Sequence, residues 1–154
     1  KCLGGLMHQP YLRESFVADD EECWLYGPMG ELRMESRGDA VLKDAIIYST
    51  HPYLFGNSKE QDGFQDISVR CRLQRFGGDC YSYALLAHGC VDLVIEGLLQ
   101  PYDIVPLIPV ITQAGGVITN LEGEAPMNGG TVIAAANAAL HADAMESMRA
   151  AWGR

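Results

Sequence analysis

Phe76-Gly-Gly-Asp-Cys-Tyr81, then Val91-Asp-Leu-Val-Ile-Glu96, then Pro101-Tyr-Asp103 running on to Ala114-Gly-Gly116, set out an alternation of strands and helices. Leu73 to Phe76 reads as a strand. Asp79 to His88 reads as a helix stopped by Gly89, and Val91 to Ile95 as a buried apolar strand. Asp103 to Ala114 completes the series as a helix, with Gly115-Gly116 supplying its left-handed stop. Strand–helix alternation predicts a mostly parallel or mixed sheet with helices on its faces. Three carboxylates, Asp79, Glu96 and Asp103, stand at the edges of these elements. Open α/β sheets bind ligands in such places, beyond the carboxyl ends of their strands.

Working outward, Ala45-Ile-Ile-Tyr-Ser49 is an upstream strand. Ser58-Lys-Glu-Gln61 resembles a capping box opening a helix that carries Phe64, Ile67 and Cys71 on one face. Downstream, Val117 to Thr119 and Thr131 to Ala135 read as strands. Asn137 caps a last helix reaching about Trp152. The first 39 residues differ in texture: Leu6 to Gln9, Phe16 to Ala18, Glu22 to Tyr26 and Glu31 to Ser36 are short strands, with Gly27-Pro-Met-Gly30 as a turn. The chain is therefore expected to be α/β. Residues 1–39 form antiparallel strands of an incomplete N-terminal sheet, and residues 40–154 form a mixed sheet flanked by helices.

Composition narrows the function. A net charge of −9 over 154 residues argues against a nucleic-acid surface, which needs clustered Lys and Arg. No apolar run approaches the roughly 20 residues that span a bilayer. Lys1-Cys-Leu-Gly-Gly-Leu6 is too short and Gly-rich for a signal peptide, and the expectation is that sequence precedes it. The five cysteines (Cys2, Cys23, Cys71, Cys80, Cys90) form no C-x-x-C. They predict a reduced, cytoplasmic setting and small core side chains.

Each candidate has a plain structural reading beside the functional one. Gly77-Gly78-Asp79 is either a backbone surface open to a ligand or a tight strand-to-helix turn with Asp79 as N-cap. Glu96 either receives a cationic or hydroxylated ligand or ends its strand in solvent. Asp103 either caps its helix or gives one oxygen to a hard cation such as Mg²⁺, which takes one or two carboxylates with waters and phosphate. The four histidines, His8, His51, His88 and His141, are far apart in sequence, and no serine sits in a nucleophile elbow. His141 reads as a packing or capping residue. Arg72 and Arg75 bracket the strand before Gly77; Arg75 reads as a surface ion pair, although it is also near enough to meet an anionic ligand.

Tyr102-Asp103 followed by Ala114-Gly-Gly116 resembles the second signature of the Mg²⁺-dependent inositol monophosphatase-like phosphatases. Phe76-Gly-Gly-Asp-Cys-Tyr81 with Gln100-Pro-Tyr-Asp103 is more similar to the histidinol-phosphatase branch. The similarity extends through His8-Gln-Pro-Tyr-Leu-Arg13, Ser49-Thr-His-Pro52 and Ala134 to His141, matching the C-terminal three-fifths or so of a family member. It implies that Asp103 ligates the second catalytic Mg²⁺, and that Gly77, Gly78, Asp79 and Glu96 line the alcohol portion of a phosphorylated amino alcohol such as histidinol phosphate. The implied chemistry is phosphomonoester hydrolysis by paired metals, in a homodimer. An inositol or sugar-type monophosphatase and a catalytically inactive interaction module are the alternatives.

The chain also departs from the family pattern. Val105 and Pro106 stand where two small residues are usual, so Val105 is expected to crowd the site. Thr112 stands where an acid is common. The Asp-Pro-x-Asp-Gly-Thr motif and its preceding Glu are absent from these 154 residues. One aspartate cannot assemble a two-metal centre, so the chain alone is expected to be inactive.

Overall fold

The computed structural model describes residues 2–151, and these build two sheets. β1 (Gly5–Gln9), β2 (Glu14–Ala18), β3 (Cys23–Gly27) and β4 (Gly30–Arg33) form an antiparallel meander. Period-two alternation decides its faces. Met7, Phe16 and Leu25 are cross-strand neighbours on the inner side, and Leu6, Val17 and Trp24 on the outer. Met7 and Phe16 are buried against the rest of the molecule.

The second sheet has five strands: β5 (Ile46–Ser49), β6 (Leu73–Phe76), β7 (Leu93–Leu99), β8 (Val117–Asn120) and β9 (Gly130–Ala135). Their order is β6-β5-β7-β9-β8. β5 runs parallel to β6 and β7, whereas β9 is antiparallel to β7 and β8. The helices are α1 (Ser58–Ser68), α2 (Asp79–Ala87), α3 (Pro101–Ile104), α4 (Leu107–Gln113) and α5 (Ala138–Ala150). Trp152, the expected end of the last helix, lies outside the described residues.

Two apolar clusters explain the layering. Val94, Val132 and Ala134 face α2, α4 and the meander, meeting Tyr83, Leu86, Val110, Met7 and Phe16. Leu93, Ile95 and Ile133 face the other way, meeting Phe64 and Ile67 of α1 and Leu140 and Met148 of α5. Both faces of the central strands are covered, which is why they read as unbroken apolar runs. Burying each such side chain contributes roughly 1.5–3 kcal/mol. The meander joins the first cluster directly. The link is reinforced by Ser36 Oγ donating to the Ala136 carbonyl at 2.8 Å, and by Arg37 Nε lying 3.1 Å from the buried carboxylate of Asp92.

Several local expectations are corrected. Asn57, not Ser58, caps α1: its side chain accepts from the Glu60 N–H at 3.0 Å. The expected helix over residues 103–114 divides into α3 and α4, because Pro106 and Pro109 each lack the N–H that would continue it. Only Cys23 among the cysteines is fully buried; Cys2 and Cys71 are half-buried, and Cys80 and Cys90 are exposed. Arg75 Nη1 donates to the Gln74 carbonyl rather than to a carboxylate, and Arg72 Nε donates to the Asp44 carbonyl. His141 does pack, with Nε2 2.9 Å from Thr119 Oγ1. Val105 joins the core beside α4 and not the cleft described next, so the expected crowding does not occur.

Candidate active site

The parallel strands β5, β6 and β7 end on one edge of the sheet. The chain leaves β5 through α1 to reach β6 on one side, then returns through α2 to β7 on the other. α1 and α2 therefore lie on opposite faces, and their connections diverge at the carboxyl end of β5, where a crevice must open. A cleft of about 400 Å³ lies there, with Thr50, Asp79, Tyr83, Glu96, Leu98 and Asp103 among its walls.

All three carboxylates picked from the sequence face this cleft. Asp79 is not the N-cap of α2; Gly78 takes that place, and Asp79 is the first helical residue with φ +44°. A left-handed aspartate is unusual and aims its carboxylate away from the helix ladder. Gly77 and Gly78 do not line the cleft but form the turn beside it. Gly77 has φ +81° and open space where a side chain would stand. At Gly78 a Cβ would lie 2.1 Å from Ser82 Oγ and 3.1 Å from Tyr48 Cδ1, so a side chain there would require the Ser82 hydroxyl to turn away.

Glu96 is not a strand end in solvent. β7 continues past it to Leu99, and the carboxylate is 4% exposed. Its parity matches Val94, which points it to the α2 side. Thr50 Oγ1 donates to Glu96 Oε1 and lies 3.0 Å from Asp79 Oδ1, holding the two acids within reach of one hydroxyl. The fully buried Tyr83 hydroxyl faces Glu96 without making a hydrogen bond of ordinary geometry. Burial raises the Glu96 pKa above the usual glutamate value, the Thr50 and Tyr83 hydroxyls partly offsetting it. Partial desolvation of the sulfur, in a residue otherwise exposed, and then the neighbouring Asp79 charge raise the pKa of the Cys80 thiol, which also borders the cleft.

Asp103 is the third residue of α3 rather than its cap. Its Oδ2 accepts the Gln100 N–H at 2.8 Å, which leaves Oδ1 for the cleft. Among the described residues no Lys or Arg lines this space, so the concentrated negative charge suits a cation. Among the described residues, no group of three or more His, Cys, Asp or Glu side chains is placed to hold a metal ion. A hard cation such as Mg²⁺ takes one or two carboxylates with waters and phosphate, and Asp103 would supply one such oxygen. Thr50 and Tyr83 were not singled out as site residues from the sequence. Thr50 directly follows the β5 strand, and Tyr83 is one helical turn beyond Asp79; those spacings are the signals that could have found them.

A mixed α/β protein with an acid-lined cleft at a topological switch point is thus defined by fold and site. The chain belongs to the inositol monophosphatase family, whose model matches residues 1–152. It is 36% identical over 160 residues to "Bifunctional phosphatase IMPL2, chloroplastic" of Arabidopsis thaliana, spanning 96% of this chain and 44% of that protein. A shorter match, 37% identical over 73 residues, is to a histidinol-phosphatase of Mycobacterium tuberculosis, covering 47% of this chain and 28% of the relative. Among solved structures, an inositol monophosphatase from Zymomonas mobilis superposes with a TM-score of 0.86 at 32% identity, over 96% of this chain and 57% of that one. The chain spans about half the length of these longer matches, or less.

Proposed function

We propose that this chain is the alcohol-recognising part of a Mg²⁺-dependent phosphomonoesterase acting on histidinol phosphate. The observation that carries the proposal is the convergence of Asp79, Glu96 and Asp103 on one cleft that, among the described residues, no Lys or Arg lines. Asp79 and Glu96, bridged by Thr50, suit the ammonium or imidazole of an amino alcohol better than the hydroxyls of a neutral polyol. The histidinol-phosphatase named among its relatives supports the same substrate class. Asp103 Oδ1 would give one ligand oxygen to Mg²⁺, and the bound metal would polarise the phosphate and activate water. This chain's own groups bind and orient the alcohol: Glu96 and Asp79 take its polar edges, and the Gly77-Gly78 turn beside the cleft sets the position of Asp79. Further metal ligands must come from outside these residues, so the 154-residue chain alone is expected to release no phosphate.

The test compares histidinol phosphate with inositol phosphate as substrates of the full-length protein in Mg²⁺. Faster turnover of histidinol phosphate is expected; preference for inositol phosphate would return the protein to the polyol branch, which its likeness to the Zymomonas mobilis structure keeps in play. Asp103→Asn keeps an acceptor for the Gln100 N–H, so it should cost under about 1 kcal/mol of stability. It should nevertheless reduce Mg²⁺-dependent turnover on the order of a hundredfold or more. Unchanged turnover in that variant would remove Asp103 from the metal shell. Homodimerisation of the full-length protein, also proposed, is checked by sedimentation.

A further inference from the structure

β7 carries a bulge at the mouth of the cleft. Glu96 pairs with Val132 and Leu99 with Gly130, so Gly97 and Leu98 together oppose the single residue Thr131. The bulge contains a left-handed residue, and Leu98 is that residue, at φ +61°. Glycine would take this conformation freely and asparagine nearly so, whereas leucine adopts it only against steric resistance. Gly97 stands next to it, yet the two cannot exchange roles. A Cβ on Gly97 would lie 2.8 Å from the Leu54 carbonyl oxygen and 2.9 Å from Phe55 Cα.

Close packing therefore accounts for the glycine, but nothing in the packing accounts for the leucine. The Leu98 side chain is 55% exposed, so the strained backbone is not repaid by burial. It reaches over the loop after β5, with Cδ2 3.6 Å from where a Cβ of Gly56 would stand, and Leu54 on that loop is itself 43% exposed. Both leucines line the cleft that holds the three carboxylates. Strain and exposed apolar surface coincide at a binding cleft, where each is costly to folding and useful to a ligand.

We infer that Leu98, with Leu54 beside it, is a specificity residue that packs against the flat apolar face of the ligand's alcohol portion. This rests on the reading of the cleft as an amino-alcohol site and narrows it. The favoured ligand carries a ring with one bare face and polar edges, as imidazole does. A polyol, with hydroxyls around its ring, gains little from such a lip and loses hydration against it.

Leu98→Asn and Leu98→Gly in the full-length protein test this, with histidinol as a product-like probe that undergoes no chemistry. The melting temperature of Leu98→Asn should equal or exceed the parent's. Its Kd for histidinol should rise about tenfold, the scale of one lost apolar contact in a pocket. KM for histidinol phosphate should rise in parallel while kcat stays within about twofold, the pattern of lost uniform binding. Leu98→Gly should weaken histidinol equally. Parent-like Kd in both variants overturns the inference and leaves the substrate assignment standing. A melting temperature lowered by several degrees in Leu98→Asn also overturns it, since the leucine would then serve packing. A parent protein that does not bind histidinol overturns the substrate assignment and this inference together.

Discussion

Glu96 is a carboxylate buried with hydroxyls for company and, among the described residues, no cation lining its cleft. Burial, the leading cause, raises its pKa in the folded protein above the unfolded value. The folded state then binds the proton more tightly than the unfolded one, and linkage fixes the sign. The stabilising contribution is fully present below the ordinary glutamate pKa, and it is lost as pH rises through the elevated folded value. Glu96→Gln removes this titration while keeping an acceptor for Thr50. Melting curves across mildly acidic to neutral pH should show the parent losing stability relative to the variant as pH rises. A parallel course of the two curves would mean that Glu96 is charged without penalty. The same substitution should weaken histidinol binding, because the buried charge held ready for a cationic group is gone.

Helix termini show where sequence and structure part company. Ser58 and Asn57 are both good cap residues, and adjacent candidates differ by only a small free energy that tertiary contacts decide. Here the decision comes from Glu60, whose carboxylate accepts Thr131 Oγ1 at 2.5 Å, the Gly56 N–H at 3.2 Å and Asn57 Nδ2 at 2.8 Å. Asn57→Ala is expected to cost about 1 kcal/mol or more and Ser58→Ala close to nothing, as read by chemical denaturation. Equal costs would give Ser58 a share of the cap. The alternation of elements, the strand cores and the α5 cap at Asn137 were all legible, because apolar period and cap chemistry are local properties. The extension of β7 through Glu96 was not. A charged residue marks a strand end by pattern, but burial under α2 is a long-range fact. The split between α3 and α4 was signalled by Pro106 and Pro109, although proline near a helix start is compatible with continuity.

The site was partly legible for the same reason. Asp79, Glu96 and Asp103 each carry a local signal at an element edge, whereas Thr50 gains its place only when β5 and β7 pair and bring it under Glu96. At the scale of the molecule, the meander and the five-stranded sheet meet in one apolar cluster that includes Phe16, Tyr83 and Ile111. They are expected to unfold in a single cooperative transition, seen as coincident fluorescence and circular dichroism curves. Arg37 and Asp92 tie the two parts together, with Asp92 1% exposed and its Oδ2 accepting the Ile46 N–H at 2.7 Å. Arg37→Ala strands that carboxylate in the interior. A loss of roughly 2 kcal/mol is expected, below the range for fully buried pairs because Arg37 remains partly solvated. A change under about 0.5 kcal/mol would show that water already screens Asp92.

Cys80 borders the acid-lined cleft; although the residue as a whole is exposed, partial desolvation of its sulfur and the Asp79 charge raise its thiol pKa. Alkylating agents attack only the deprotonated sulfur, so this cysteine should react sluggishly at neutral pH and report the local negative field. A small inorganic cation settling among the acids, too small to shield the sulfur, should quicken its modification. Iodoacetamide labelling followed by mass spectrometry thus becomes a clock for cation occupancy that needs no turnover.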